Sequence, residues 1–253
     1  QILNDPRCNL VVISTQHNSH ARLVLQSLDA GKHVFVEKPL CLTQAELDAI
    51  AQRANQSGQK QQITVGFNRR FSQLSQKLKQ LAEATGEPLA ISYTINAGFI
   101  DKSHWSQDVT IGGGRLLGEV CHFVDLCRFF TGAAITSSAI NALKKNGEAS
   151  DSWQIILGFA NGSTALIHYF SNGHKSLPKE RIEVNTAGKT LYLDNFRSLT
   201  CYGFGPGKNI KLWKQDKGQS QCAQTVVDCL NQGAAAPIAF VELQEVMQVC
   251  LNL

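Results

Sequence analysis

Two textures of apolar and polar positions follow one another along the chain. In the first, short apolar runs alternate with longer amphipathic stretches. Residues 8–14 are a β-branched run bounded by polar residues and predict a buried strand. Ala21, Val24, Leu25 and Leu28 share one face of a following helix that Gly31 closes. Residues 33–36 predict a second strand, ended by Glu37-Lys38-Pro39. Thr43 and Glu46 have capping-box spacing, and Leu47, Ile50, Ala51 and Ala54 stripe the helix they open, up to Gly58. Residues 63–67 predict a third strand, and Leu74, Leu78 and Leu81 a helix after it. Such alternation with short connections predicts a parallel sheet with crossover helices. Ligands of these sheets bind beyond the carboxyl ends of the strands, so residues 15–20, 37–39 and 68–70 are expected to face one.

From Glu87 the texture changes to strands. Residues 89–99, 135–143, 152–159, 164–170, 181–185, 190–194 and 210–213 read as extended, and Asn161-Gly162 between two apolar runs is a strong hairpin signal. The end returns to helix, with Val226, Val227 and Leu230 on one and Phe240, Leu243, Val246, Met247 and Leu251 on the last. A second, largely antiparallel sheet is expected, with one face under helices and the other covered by another copy of the chain.

Residues 110–132, TIGGGRLLGEVCHFVDLCRFFTG, carry the densest chemistry. Three glycines permit close approach of the backbone to something else, and a buried helix follows that Gly132 ends. Glu119, His122 and Asp125 sit on it among apolar neighbours. Burying ionisable groups is costly unless they are paired or used. Two readings stay open: a polar stripe in which His122 and Asp125 hold each other and a loop, or a glycine-lined ligand floor with His122 moving protons. Around it, Tyr93, Asn96, His104, Trp105 and Asp108 precede the glycines, and Lys175 and Lys179 follow the hairpin. Polar groups on both sides of such a floor suit a hydroxyl-rich ligand; the alternative is a surface loop whose tryptophan packs on the sheet. Of the adjacent Arg69 and Arg70, one is expected to face solvent.

Composition narrows the classes. A formal charge of +4, from 24 basic and 20 acidic residues with no basic cluster beyond Arg69-Arg70 or Lys144-Lys145, argues against nucleic acid or a membrane surface as partner. No long apolar run or signal region is present, so a soluble, cytoplasmic protein is expected. The eight cysteines form no C-x-x-C pair and read as buried thiols rather than a disulfide frame or metal site, with Cys121 beside His122 the one to watch. A dinucleotide-binding fold carries a glycine-rich phosphate loop in its first strand-turn-helix and an acidic residue about 20 residues later. Neither fits before Cys8, so the sequence is expected to open part-way through such a domain, about 60 residues in. The expected fold class is α/β: a partial Rossmann-like parallel sheet lacking its first strand-helix units, then an α+β domain with a large, mostly antiparallel open sheet. Residues 1–85 form the first domain and 86–253 the second, with the junction in 82–88.

These residues resemble a known pattern. Thr15, Asn18 and His20 in a spacing compressed by one, Glu37-Lys38-Pro39 after a strand, VGFNRRF at 65–71, and the triple glycine leading to His122-x-x-Asp125 are together similar to the glucose-fructose oxidoreductase and inositol dehydrogenase (Gfo/Idh/MocA) family of NAD(P)-dependent enzymes. The resemblance implies a Rossmann domain and a C-terminal domain whose open sheet makes a homodimer or homotetramer. It places Lys38 between nicotinamide and substrate and makes His122 the proton-transferring residue. An ammonium steadies developing alkoxide charge, and an imidazole exchanges protons near neutral pH. On the same ground Thr15, Asn18, His20, Glu37, Lys38 and Asn68 are assigned to the cofactor, and Arg69, Asn96, His104, Trp105, Glu119, Asp125 and Lys175 to the substrate.

One position departs from the pattern. Where the family commonly has aspartate, four residues before His122, stands Gly118, with Glu119 beside it. A one-residue step turns a side chain by about 100°, so either Glu119 reaches the site from a shifted backbone or the relay is Lys38 and His122 alone. The stretch from Arg115 to Asp125 looks most like a branch fused behind a zinc-type alcohol dehydrogenase module. The expectation is hydride transfer between NAD or NADP, whose site is incomplete in this chain, and a carbinol or ketone carbon of a sugar, nucleotide sugar or cyclic polyol. The alternative is a non-catalytic sugar-binding or oligomerisation module of the same fold.

Overall fold

The computed structural model describes residues 2–56, 61–145 and 147–253. Gly58, expected to end the second helix, lies outside the described residues. In chain order the elements are β1 (Leu10–Ile13), α1 (His20–Asp29), β2 (His33–Val36), α2 (Gln44–Gln56), β3 (Ile63–Val65), α3 (Gln73–Glu83), β4 (Ala90–Asn96), α4 (Cys121–Thr131), β5 (Ile135–Lys145), β6 (Glu148–Phe159), β7 (Thr164–Phe170), β8 (Glu180–Thr186), β9 (Lys189–Asp194), β10 (Ser198–Tyr202), β11 (Ile210–Lys211), α5 (Gln219–Gln232) and α6 (Phe240–Asn252). They gather into two compact units. The first is Gln1–Phe67 with Lys102–His122 and Cys222–Asn252; the second is Asn68–Asp101 with Phe123–Gln221 and Leu253. The chain therefore crosses between these units several times.

In the first unit β1, β2 and β3 pair in parallel in that order. Val34, Val36, Ile63 and Val65 are buried in it. Gly31, at φ +72°, turns the chain from α1 into β2. The capping box is reciprocal: Glu46 N donates to Thr43 Oγ1 at 3.2 Å, and Thr43 N donates to Glu46 Oε2 at 3.1 Å. Leu243, Val246, Met247 and Cys250 of α6 are buried, and that helix packs on α2 and β3. Its apolar stripe explains why the chain's end belongs to this unit.

The second unit is an eight-stranded sheet in the order β11-β10-β9-β8-β4-β7-β6-β5. Among the described residues of this sheet only β4 and β7 pair in parallel, and the other pairs are antiparallel. Gly162, at φ +82°, makes the turn between β6 and β7. Alternate residues such as Ile91, Tyr93 and Ile95 of β4 and Ile155 and Leu157 of β6 point into the core, where the Phe123 ring lies edge-on to Tyr93 at 5.2 Å. Ile156, on the opposite face of β6, is 56% exposed. β10 lies between the two runs expected at 190–194 and 210–213 and was not foreseen; with Leu199 and Cys201 as its only buried residues, its pattern is short.

The single helix expected after the glycines is two pieces. Leu116–Val120 forms a π-turn, and α4 continues from Cys121 to Thr131, ended by Gly132 at φ +62°. Among the described residues no helix is long and apolar enough to cross a membrane.

Candidate active site

The carboxyl ends of the three parallel strands gather most of the expected chemistry of the first unit. After β1 the chain makes a short 3-10 turn, His17–Ser19, that leads into α1. The Ser19 hydroxyl donates to the Gln16 carbonyl at 2.8 Å, so the 2.6 Å contact between Thr15 Oγ1 and Ser19 Oγ has Thr15 as donor. The remaining lone pairs of the exposed Thr15 hydroxyl are left to accept. Asn18 is exposed, and its backbone N–H donates to the Ile111 carbonyl at 3.0 Å, tying this turn to the glycine segment. His20 is fully buried; its Nδ1 lies 2.7 Å from the Pro39 carbonyl and its Nε2 3.1 Å from the Thr15 carbonyl. It braces the segment after β1 against the segment after β2.

Beyond β2, the exposed Glu37 carboxylate lies over Gly66, where a Cβ would come within 3.0 Å of Oε2. Lys38 is half-buried, and its ammonium donates to the Gly118 carbonyl at 2.5 Å. Beyond β3, the Phe67 ring meets His122 edge-on at 6.1 Å. His122 is buried to 9% exposure. Neighbouring strands thus carry Lys38 and the support of His122.

Two of the three glycines are needed for packing inside this unit. A Cβ at Gly112 would lie 2.4 Å from Ser106 Cα, and one at Gly113 would lie 2.5 Å from a Leu42 methyl. The Gly112 carbonyl accepts from His17 Nδ1 at 2.7 Å. Burial pushes the His17 imidazole down to about 4; the charges of Lys38 and His20 act in the same direction, against the bond to Gly112. The Trp105 ring packs edge-on against His17 at 4.9 Å rather than on a sheet. His104 caps the turn that carries Trp105, accepting from Ser106 N at 3.3 Å.

Glu119 lies in the π-turn Leu116–Val120, which takes about one more residue per turn than an α-helix. The Glu119 carboxylate pairs with Arg115, one turn earlier, at 3.1 Å.

The other expected residues belong to the second unit and are held there by its own groups. Asn68 Nδ2 donates to the Lys217 carbonyl at 2.6 Å. Arg69 forks onto Glu180 at 2.7 and 2.9 Å, and Arg70 pairs with Asp125 at 2.7 Å. The expectation that one of these arginines faces solvent is corrected: both are buried, because each has its own buried carboxylate. Asn96 donates from Nδ2 to the His174 and Leu177 carbonyls at 2.8 and 3.1 Å, pinning the loop between β7 and β8. Lys175 is exposed on that loop.

All eight cysteines are free thiols, and burial pushes Cys41 up to about 12. Among the described residues no group of three or more His, Cys, Asp or Glu side chains could hold a metal ion. The residue that sequence reasoning passed over is His17. It lies inside a segment expected to face a ligand, but the pattern was aligned on Asn18 and His20; the available signal was the unexplained glycine at 118.

Comparison with known proteins completes the picture. A model described as oxidoreductase family, NAD-binding Rossmann fold, matches residues 1–67, and the Gfo/Idh/MocA C-terminal domain matches 75–191. Myo-inositol 2-dehydrogenase of Thermotoga maritima is 27% identical over 211 residues, covering 79% of this chain and 60% of the relative. The scyllo-inositol 2-dehydrogenase (NAD(+)) of Bacillus subtilis is 30% identical over 140 residues, covering 54% of this chain and 39% of the relative. The chain therefore spans 60% or less of the length of these two relatives. An NAD binding oxidoreductase from Klebsiella pneumoniae has the same fold, with a TM-score of 0.85 at 21% identity over 98% of this chain and 77% of that one. So does UDP-N-acetylglucosamine 3-dehydrogenase from Acidithiobacillus ferrooxidans, at a TM-score of 0.80 and 19% identity over 96% and 77%. With both of its domains matched by models of one family, this chain belongs to the Gfo/Idh/MocA oxidoreductases.

Proposed function

We propose that the whole protein is an NAD(P)-dependent oxidoreductase acting on a carbinol or ketone carbon of a sugar, nucleotide sugar or cyclic polyol. The observation that carries this reading is Lys38, an ammonium at the carboxyl end of β2 held by the Gly118 carbonyl, with His122 supported at the end of the neighbouring strand β3. The inositol dehydrogenases among the relatives support a polyol. The first unit is the part assigned to the dinucleotide and the second the part assigned to substrate and self-association. The rim fits the ring end of such a cofactor: the Thr15 hydroxyl keeps acceptor lone pairs, and Thr15, Asn18 and Glu37 are exposed. Thr15, Asn18 and Glu37 are the residues of the first unit assigned to hold it.

The nicotinamide, when bound, supplies the hydride chemistry. Lys38 has three N–H groups, one of them on Gly118, and the other two are placed to orient a substrate hydroxyl and steady negative charge on its oxygen. His122 takes the hydroxyl proton in oxidation and returns it in reduction. The non-catalytic alternative rested on Gly118; with the carbonyl of that residue holding Lys38, glycine there is compatible with a working site. The protein is proposed to act in the cytoplasm as a homodimer or homotetramer.

The test is a titration of NADH and NADPH, followed by nicotinamide fluorescence, into this chain and into a form extended upstream, then turnover with myo-inositol and UDP-sugars. Lys38→Ala and His122→Ala are each expected to lower kcat by about 10²–10⁴-fold while leaving nicotinamide binding in place. Wild-type rates in both variants, or no nicotinamide binding by either form, would overturn the reading.

A further inference from the structure

Position 118 has no side chain, and a Cβ there would be tightly met. A Cβ on Gly118 would lie 3.3 Å from His17 Cε1, 3.6 Å from His17 Nδ1 and 3.4 Å from the Gly112 carbonyl oxygen. Gly118 is not among the glycines with positive φ, so its backbone would accept any residue. The imidazole is the side chain that a Cβ there would press on, and at 3.3 Å the ring would have to give by a few tenths of an ångström. That ring arrives from the turn after β1 and is buried to 9% exposure. The Nδ1–H bond to Gly112 fixes its tautomer, which leaves the lone pair on Nε2. Trp105 closes on it edge-on. Gly118 is thus met from two directions, by the His17 ring at its α-carbon and by the Lys38 ammonium at its carbonyl.

We propose that His17 is a positioning residue of the Lys38 site: its imidazole takes the side-chain place of residue 118 and fixes the carbonyl on which the Lys38 ammonium rests. This role rests on the reading of Lys38 as the residue that orients substrate. It also gives Gly118 a reason. A carboxylate from that position and an imidazole from the turn after β1 would compete for the same space, and this chain has the imidazole. The charged or titratable groups acting on His17 are Lys38, following β2, and His20, on α1. A neutral ring sits beside the ammonium without repelling it; a protonated one would be a second cation on the same residue.

The experiment has one readout in the protein without cofactor and one in turnover. Long-range ¹H–¹⁵N spectra of the imidazoles, assigned with His17→Asn, are expected to show His17 as the Nδ1–H tautomer, neutral until the pH nears 4. Lys38→Met should move its midpoint upward. Gly118→Asp alone should lower Tm because the carboxylate meets the ring, and His17→Gly/Gly118→Asp together should recover most of the loss. In cofactor-competent protein His17→Ala is expected to lower kcat by about 10²-fold with little change in nicotinamide binding. His17→Asn, whose amide can still donate to Gly112, should restore part of it. His17 titrating near 6.5 and unmoved by Lys38→Met, or additive losses in the double variant, would overturn the proposal. A wild-type protein with no turnover would remove the hydride-transfer reading, while the spectra and the swap would still decide the place of His17.

Discussion

Glu180 gathers three side-chain partners in the second unit. Its fully buried carboxylate takes Arg69 at 2.7 and 2.9 Å, Lys217 at 2.7 Å and the Tyr93 hydroxyl. Burial alone would raise this carboxyl, but the two cations outweigh it and hold it at about 2, against 4.5 for an ordinary glutamate. A depressed folded-state value means that the stabilisation is whole above about pH 4.5 and is lost as pH falls from there towards 2. The linked contribution is on the order of 3 kcal/mol. Glu180→Gln should therefore be less stable than wild type by about 3–5 kcal/mol at pH 7, because it leaves two buried cations short of their partner. The gap should narrow through that acid window. Urea melts of both proteins between pH 7 and 3 would check it, and a gap constant with pH would refute the assignment. His17 is lost in a different window: its neutral form is favoured on folding, so its contribution declines between 6.5 and about 4, before most of the Glu180 effect.

At the scale of elements, the glycine segment and its neighbours form one assembly. At Gly112 a Cβ would meet Cα, C and O of Ser106 at 2.4 to 2.7 Å, all backbone atoms that cannot rotate away. Gly112→Ala must therefore lift the glycines off the turn Trp105–Gln107 and pull on the His17 bond; a loss of at least about 2 kcal/mol is expected. Gly114→Ala has open space around its Cβ and suffers only from φ +64°, at about 1 kcal/mol. Thermal melts should rank Gly112→Ala well below Gly114→Ala, and the reverse order would mean that the segment does not rest on Ser106. Thr43→Ala, which removes one half of a reciprocal cap, should cost about 1 kcal/mol by the same measurement. These local features differ in how far the sequence displayed them. The cap, the turn at Gly162 and the positions of strands β1 to β3 are written in adjacent residues, so periodicity and turn chemistry sufficed; the burial expected of β1 is corrected, because Val12 is 63% exposed and only Ile13 of that strand is buried. The π-turn was not, because the residues before and after it are equally apolar. The partners of Arg69 and Arg70 lie 111 and 55 residues away, and no local pattern names them. The same holds for α6, whose stripe predicted burial but not that α2 and β3 would be what it covers.

At the scale of the whole molecule, the eight-stranded sheet leaves a question that its own chain does not answer. One face is closed, with Tyr93, Ile155, Leu157, Ile167 and Tyr169 all buried. Ile156 points to the other face from β6, paired with Ala139 on β5 and Leu166 on β7, in the interior of the ladder rather than at an edge. β6 lies next to the edge strand β5, and a second copy laid face to face over this side of the sheet would bury Ile156 about a symmetry axis. Ile156→Lys is then expected to dissociate the assembly without unfolding the subunit, since the substitution touches no group of the closed face. Light scattering at micromolar concentration should report a dimer or tetramer for the wild type and a monomer for the variant, with subunit stability changed by less than about 0.5 kcal/mol. If the wild type is itself a monomer, the open face is not where copies meet. If the variant stays assembled, the contact lies elsewhere on the chain. The expected dissociation would also allow self-association to be removed while the Lys38 site, in the other unit, is left untouched for the nicotinamide titration.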